Sequence, residues 1–430
     1  MKEFAGGIVM KNKMALILMI IAAGAVISCE SLFNDQIDAL ESNYFHGTRQ
    51  FVASDGAQDD YFGYRVAISA DGNTVAVGAW WDDVVYINQG SVYVYRWSGS
   101  EWKEMKITAH DGTTFNLFGN SVAMSADGNT LAVAASGYDN SKGVVYLYKW
   151  NGRSYEQMQQ KLMKGSPVNN DAFGISLALS YDGNVVCVGT DGENTNTGSV
   201  YVFHWDGSLY KQVQRIFASD GAEQDYFGTS VSMSSDGYSV AVGAPFGDGK
   251  SSNSGSAYVY RWDGSSWSEI KIKASNGALN DEFGKSVALS ADGNTVVIGA
   301  PQGEGKAAHS GAAYVYRWNG SLFVETRIIA SDGGATDNFG ISAAISADGN
   351  MVAIGASGDD NNGTDSGSMF VYRWNGSSWI ETIVTAPNGA AQDAFGTSLA
   401  VSADGGTLVV GADYDDAAFA NQGSVWLYAK

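Results

Sequence analysis

The chain has 430 residues, a formal net charge of −21, 54 glycines, 4 prolines and only 17% charged residues. Nucleic-acid binding needs a basic footprint, which this composition lacks, and two cysteines exclude a disulfide framework. An aromatic content of 12% with 45% hydrophobic residues excludes a disordered chain, and glycines without a three-residue period exclude a collagen-like one.

The first element in chain order is the uncharged run from Met14 to Ile27, preceded by Lys11 and Lys13. It is too short to span a bilayer and has the layout of a secretory signal. It ends Val26-Ile27-Ser28-Cys29, which resembles the bacterial lipoprotein box. The resemblance implies cleavage before Cys29 and diacylation of its thiol, placing the protein in the cell envelope or on the cell surface. The membrane contact would then be the lipid alone. Ordinary secretion with an incidental cysteine is the alternative. Residues 1–28 are thus expected to be the signal peptide, 29–43 a polar tether and 44–430 the folded domain.

One repeat fills that domain. Phe-Gly recurs at Phe62, Phe118, Phe173, Phe227, Phe283, Phe339 and Phe395, with spacings of 54 to 56 residues. Each unit predicts four strands. The first follows Phe-Gly, as at Ser121–Ser125, and an Asp-Gly turn (Asp127-Gly128) leads into the second. A Gly/Asp/Asn loop leads to the third strand, such as Ser256–Trp262, and a second tight turn leads to the fourth, such as Trp267–Ile272. Four short antiparallel strands at this period predict an all-β, seven-bladed β-propeller. In Val92-Tyr93-Val94-Tyr95 both strand faces are apolar, as a sheet covered on both sides requires. Trp97, Trp150, Trp205, Trp262, Trp318 and Trp374 share one position and are expected to pack between the outer parts of the blades.

The seventh unit stops after its third strand, at Val425–Tyr428. The segment Thr48–Gly56 matches the fourth-strand segment Arg327–Gly333. The N-terminal strand is therefore expected to complete the last blade and close the ring, removing two open sheet edges.

Phe227-Gly228 with Gly243-Ala244-Pro245, and Phe283-Gly284 with Gly299-Ala300-Pro301, resemble the FG-GAP repeat of integrin α-subunits and of bacterial surface proteins. The proline is replaced by Trp80, Ser136, Asp191, Ser357 and Asp413 in the other units. The resemblance implies a seven-bladed propeller used in adhesion or ligand binding. Integrin repeats often carry an Asp-x-Asp-x-Asp-Gly calcium loop between the first two strands. Here that place holds Ser-Ala-Asp-Gly-Asn, as at Ser69–Asn73. One carboxylate is too few for a cation that takes six to eight oxygens, so calcium is not expected there.

No nucleophile elbow, phosphate loop or zinc-protease motif occurs, and the four histidines lie far apart. Cys187 falls in an apolar strand and is expected to pack as a small hydrophobe. In a propeller the 2–3 loops and the links between blades share one end. More than half of the acids after Cys29 fall in those segments, which makes that face the candidate binding surface. Asp60, Asn116, Asp171, Asp225, Asp281, Asp337 and Asp393 stand two residues before each Phe-Gly. They would either ring the channel mouth or accept backbone N–H groups in their own loops. Asp359, Asp360 and Asp365, with Asn361 and Asn362, form the loop densest in oxygen ligands and are the candidate calcium site. The expected function is a non-catalytic, surface-exposed adhesion module, monomeric, with an extracellular protein or glycan as ligand. An envelope scaffold and a glycan-acting enzyme with paired carboxylates are the alternatives.

Overall fold

The computed structural model describes residues 47–429. The signal segment, Cys29 and the tether lie outside them. Seven four-stranded antiparallel sheets, paired in sequence order, make up the propeller, as expected. In blade one the strands are Phe62–Ile68, Thr74–Ala79, Ser91–Trp97 and Trp102–Ile107, from the innermost outward. The second strand is buried at every position, because neighbouring blades cover both of its faces. Each apolar cluster accordingly draws on two adjacent blades: Phe283 and Tyr314 of blade five pack with Val259 and Ile272 of blade four. Two four-residue helical turns, Tyr138–Ser141 and Glu193–Asn196, occur within 2–3 loops, where they include left-handed residues.

The repeated motif has a mechanical origin. All seven Phe side chains of Phe-Gly are fully buried. The following glycine has a positive φ, +93° at Gly119 and +98° at Gly284, a region open to glycine at no steric cost. A Cβ on Gly78 would run into the carbonyl of Gly119 in the next blade, and the same clash links Gly243 to Gly284 and Gly299 to Gly340. The conserved-looking glycines are therefore the points where adjacent blades touch backbone to backbone.

The tight turn between first and second strands also repeats. Asp71 Oδ1 accepts the hydroxyl of Ser69 at 2.6 Å and the N–H of Asn73 at 3.0 Å. Seven backbone bonds join these turns into a hoop. Ala70 N–H donates to Ala126 O, Ala126 to Tyr181, Tyr181 to Ser235, Ser235 to Ala291, Ala291 to Ala347, Ala347 to Ala403 and Ala403 back to Ala70, at 2.8–3.0 Å. At the outer rim of this end, the tryptophan column pairs with aromatics that open the fourth strands, as in Trp262–Trp267. Arginines reach across to the next blade: Arg261 lies 4.6 Å from the Trp318 ring and donates to Gly293 O. The column is half-buried packing of this kind, with Trp97 the most open at 37% exposure.

The N-terminal strand closes the ring. Gly47–Phe51 pairs antiparallel with Ser424–Ala429, from Gly47 opposite Ala429 to Phe51 opposite Val425. Phe51 and Ala53 then join Val409, Val425 and Leu427 of blade seven in a cluster with blade one. Deleting residues 47–56 should cost most of a stability of about 5–15 kcal/mol, because both blade seven and the circle open. Thermal melting checks this: a shift of only a few degrees would refute the closure role.

Candidate binding face

Four antiparallel strands per blade put the 2–3 loops and the links between blades at the same end, opposite the hoop. There the two kinds of segment are bonded together. The N–H groups of Phe115, Leu117 and Phe118 donate to Ile87, Asn88 and Gln89 carbonyls at 2.8, 3.2 and 2.9 Å, and Tyr226 N–H likewise donates to Asn196 O. The face is thus a set of varied tips on a common, rigid base.

The residues two before Phe-Gly are buried in these links. Asp60, Asp225, Asp281, Asp337 and Asp393 each accept the N–H of the residue three before, at 2.6–2.8 Å, and Asp171 does so from Val168 at 2.5 Å. Asn116 instead accepts the Thr113 hydroxyl at 2.8 Å. The axial cavity, about 210 Å³, is lined by inner-strand residues such as Arg65, Ser121, Ser230, Lys285, Ser342 and Ser398, and none of the seven is among its lining residues. Arg65 lies 4.4 Å from the ring of Tyr64 and donates to its carbonyl.

Each buried carboxylate has acidic neighbours, and counting loop residues missed what balances them. Five outer strands place a cation opposite a third-strand tyrosine: Lys106 by Tyr93, Lys161 by Tyr146, Arg215 by Tyr201, Lys271 by Tyr258 and Arg327 by Tyr314. Lys106 Nζ bridges Asp55 at 2.8 Å and Asp82 at 2.7 Å. In blade three, buried Lys164 pairs with Asp171 at 2.8 Å and Glu193 at 2.7 Å. Blades six and seven break the pattern. Ile383 stands opposite Phe370, and Gln50 opposite Trp426. Burial, reinforced by the carboxylates of Asp359, Asp360 and Asp332, pushes Asp337 up to about 6. Burial with Asp415 and Asp416 does the same to Asp393, and burial raises Asp60 to about 6 despite Lys106. A strand position with period-two spacing from the loop was the available signal for these counter-charges.

The candidate calcium loop carries hydrogen bonds of its own. Asp359 Oδ1 accepts Asn361 N–H at 3.0 Å and the Ser368 hydroxyl at 2.8 Å, while Asp360 Oδ1 accepts Asp365 N–H at 2.8 Å. One oxygen each of Asp359 and Asp360 thus shapes the turn, while Asp365 takes part through its backbone N–H. Among the described residues no group of three or more His, Cys, Asp or Glu side chains converges as metal ligands. Cys187 is fully buried, and burial raises its thiol pKa.

The first unit carries a feature that the sequence reading passed over as a proline replacement. Trp80 and Trp81 join Tyr61, Tyr64 and Tyr414 in one aromatic cluster. Tyr64 stacks on Trp80 with centroids 4.5 Å apart, and Tyr61 meets Trp81 and Tyr414 edge-on at 5.3 and 5.2 Å. Beside it the loop tips expose Val85, Tyr86 and Ile87, at 73, 49 and 58%, with Phe115 at 56%.

The FG-GAP repeat family matches seven segments: 47–95, 102–148, 157–203, 210–260, 267–316, 323–372 and 380–428. The chain belongs to the FG-GAP repeat family. Each matched segment begins near an outer strand and ends on the third strand of the following blade, so the family repeat is offset from the blade by one strand. Among curated proteins, integrin alpha-7 of Rattus norvegicus is 28% identical over 288 residues, covering 60% of this chain and 24% of the integrin. The chain thus aligns with about a quarter of the length of that relative.

The raised aspartates of this FG-GAP face set a pH dependence. A carboxyl whose folded pKa lies near 6, against 3.8 ordinarily, makes the folded state bind more protons between those values. Its stabilising contribution is full below 3.8 and is lost as pH rises through about 6. The turn aspartates run the other way: against burial, bonds from Ser69 and Asn73 hold Asp71 low, and that contribution is lost below 3.8. Stability should peak at mildly acidic pH. Asp337→Asn, which copies the residue present at Asn116, should raise stability at pH 7.5 by about 1 kcal/mol and flatten the profile between pH 4 and 6. Equal pH profiles of parent and variant in thermal melts would contradict this.

Proposed function

We propose that this FG-GAP propeller is a non-catalytic adhesion module whose loop face, acidic overall and apolar over blades one and two, binds an extracellular protein or glycan. The observation that carries the reading is the contrast between the two ends. One end repeats a single serine–aspartate turn seven times, hooped by backbone bonds. The other end varies from blade to blade and exposes large apolar side chains, an arrangement that marks interaction surfaces. Family membership and the integrin relative support adhesion over chemistry. The protein would bind as a monomer.

The test is binding of the labelled full chain to immobilised extracellular proteins and to a glycan array. Changing Val85, Tyr86 and Ile87 together to Ser should weaken the interaction about tenfold or more, as loss of a central apolar contact does. Ser377→Ala, in a turn at the opposite end, should leave it unchanged. Binding that is indifferent to the triple change would remove the loop face from the function.

We further propose that residues 1–28 are a lipoprotein signal, that Cys29 is the lipidated residue and that residues 29–43 tether the propeller to the envelope. The short apolar core and the cysteine after Ser28 support this. Cys29→Ser should move the protein from the membrane fraction to the soluble fraction or block its processing. Unaltered membrane partitioning of the variant would exclude the anchor.

A further inference from the structure

A recess of about 420 Å³ opens on the loop face where blades one and two meet. It is lined by Trp80, Trp81, Phe115 and Leu117 together with Asn88, Thr114, Gly137, Asn140 and Ser141. Three observations set it apart from structural packing. First, the tryptophans are not needed to build a blade, since the other six units close with Ser136, Asp191, Pro245, Pro301, Ser357 or Asp413 in the place of Trp80. Second, the indole N–H groups of both Trp80 and Trp81 are buried without an acceptor among the described residues, a state shared among the tryptophans only by Trp426. Third, the side-chain amides of Asn88 and Asn140 and the hydroxyls of Thr114 and Ser141 bond to no other described residue. In the lining, Gly137 packs directly on the Phe115 carbonyl, a backbone contact that Gly192 and Gly358 repeat in other blades.

The walls define the ligand chemistry. The lining combines aromatic rings with short, uncharged donors and acceptors. No charged side chain lines the recess. The nearby Asp139 is already paired with Lys142 at 2.8 Å, and Asp83 accepts the N–H of Asn88. A charged group would find no counter-charge. A purely apolar side chain would strip water from four polar groups and return no hydrogen bond, a net cost. A pyranose ring matches this combination, with a C–H face for the indoles and a rim of hydroxyls for the amides and hydroxyls. The volume lies within the range of small-ligand pockets. The net charge of −21 repels acidic glycans.

We propose that this recess is a binding site for a neutral saccharide, held by stacking on Trp80 and Trp81 and by hydrogen bonds from Asn88, Thr114, Asn140 and Ser141. The inference rests on the loop face being the binding surface, and it names the ligand class for one sector of it.

The experiment titrates the full chain with cellobiose, lactose and N,N′-diacetylchitobiose, with 3′-sialyllactose as the acidic comparison, and reads saturation-transfer NMR. At least one neutral sugar should bind, and sialyllactose should bind more weakly than lactose. Trp81→Ala should reduce affinity about tenfold or more, the loss typical of a stacking anchor. Because Trp81 also supports Tyr61, Thr114→Ala at the exposed loop, outside the left-handed region, is the second variant. It should weaken binding while leaving the melting temperature unchanged. Absence of binding by all three neutral sugars would overturn the proposal, as would binding indifferent to both variants or preference for the sialylated sugar. If no sugar binds but capture of a protein still depends on Val85, Tyr86 and Ile87, the saccharide site falls and the adhesion reading stands. If neither occurs, both fall.

Discussion

Adjacent blades meet where two backbones touch without side chains between them. In six of the seven junctions the glycine after the buried Phe faces a glycine at the end of the second strand of the preceding blade, as Gly119 does Gly78 and Gly63 does Gly411. This contact sets the spacing of the inner strands. It lets the Ser398 hydroxyl reach the Gly63 carbonyl at 2.6 Å, and Ser286 reach Gly340 at 2.8 Å. The positive φ at the first glycine turns the chain from the link into the inner strand. Both glycines are therefore dictated by sterics, one through its dihedral and one through its neighbour. Blade two shows the tolerance of the scheme: Ala134 stands where the others have glycine, and a Cβ on Gly174 would there meet its methyl group instead of a carbonyl.

With the inner circle fixed, the outer parts must fill a widening wedge. Large aromatics do so, with Tyr258 and Tyr260 behind Phe227 and Tyr314 and Tyr316 behind Phe283. Their hydroxyls then need partners. Tyr260 donates to the Phe217 carbonyl of the preceding outer strand and to Glu269, and that glutamate in turn accepts the Ser219 hydroxyl. Much of the chain's charge is consumed in such contacts between blades. A negative composition consequently overstates the free charge on the loop face, where Lys106, Lys161, Lys164 and Lys271 neutralise neighbouring carboxylates.

The departures from the repeat gather on the loop face. Ile383 and Gln50 leave the acids of blades six and seven without the cation used elsewhere, while Trp80 and Trp81 give blade one an aromatic surface. Neither change is demanded by the circle, since the remaining blades close without it. Rigid repetition thus carries the fold, and the exceptions carry the chemistry available for recognition.

The fold was legible in the sequence because it depends on short-range rules repeated seven times. Phe-Gly spacing, Asp-Gly turns and strands apolar on both faces each report a local steric or burial requirement. The match of the Thr48–Gly56 segment to other outer strands announced the closure. The site was only partly legible. Asp60 and its counterparts could be located, but whether they point to the axis or into their own links depends on backbone positions in the folded loop, and the structure turns them to N–H groups three residues back. The carboxylates of Asp359, Asp360 and Asp365 are near in sequence, yet only the folded turn shows that one oxygen of Asp359 and one of Asp360 accept backbone or hydroxyl donors. The recess beside Trp81 joins side chains from three segments of two blades, Trp80–Asn88, Thr114–Leu117 and Gly137–Ser141. Sequence alone determined the repeating strand and turn chemistry, because those interactions are local. Tertiary structure decided which loops share a wall, because only the packing of one blade on the next brings them together.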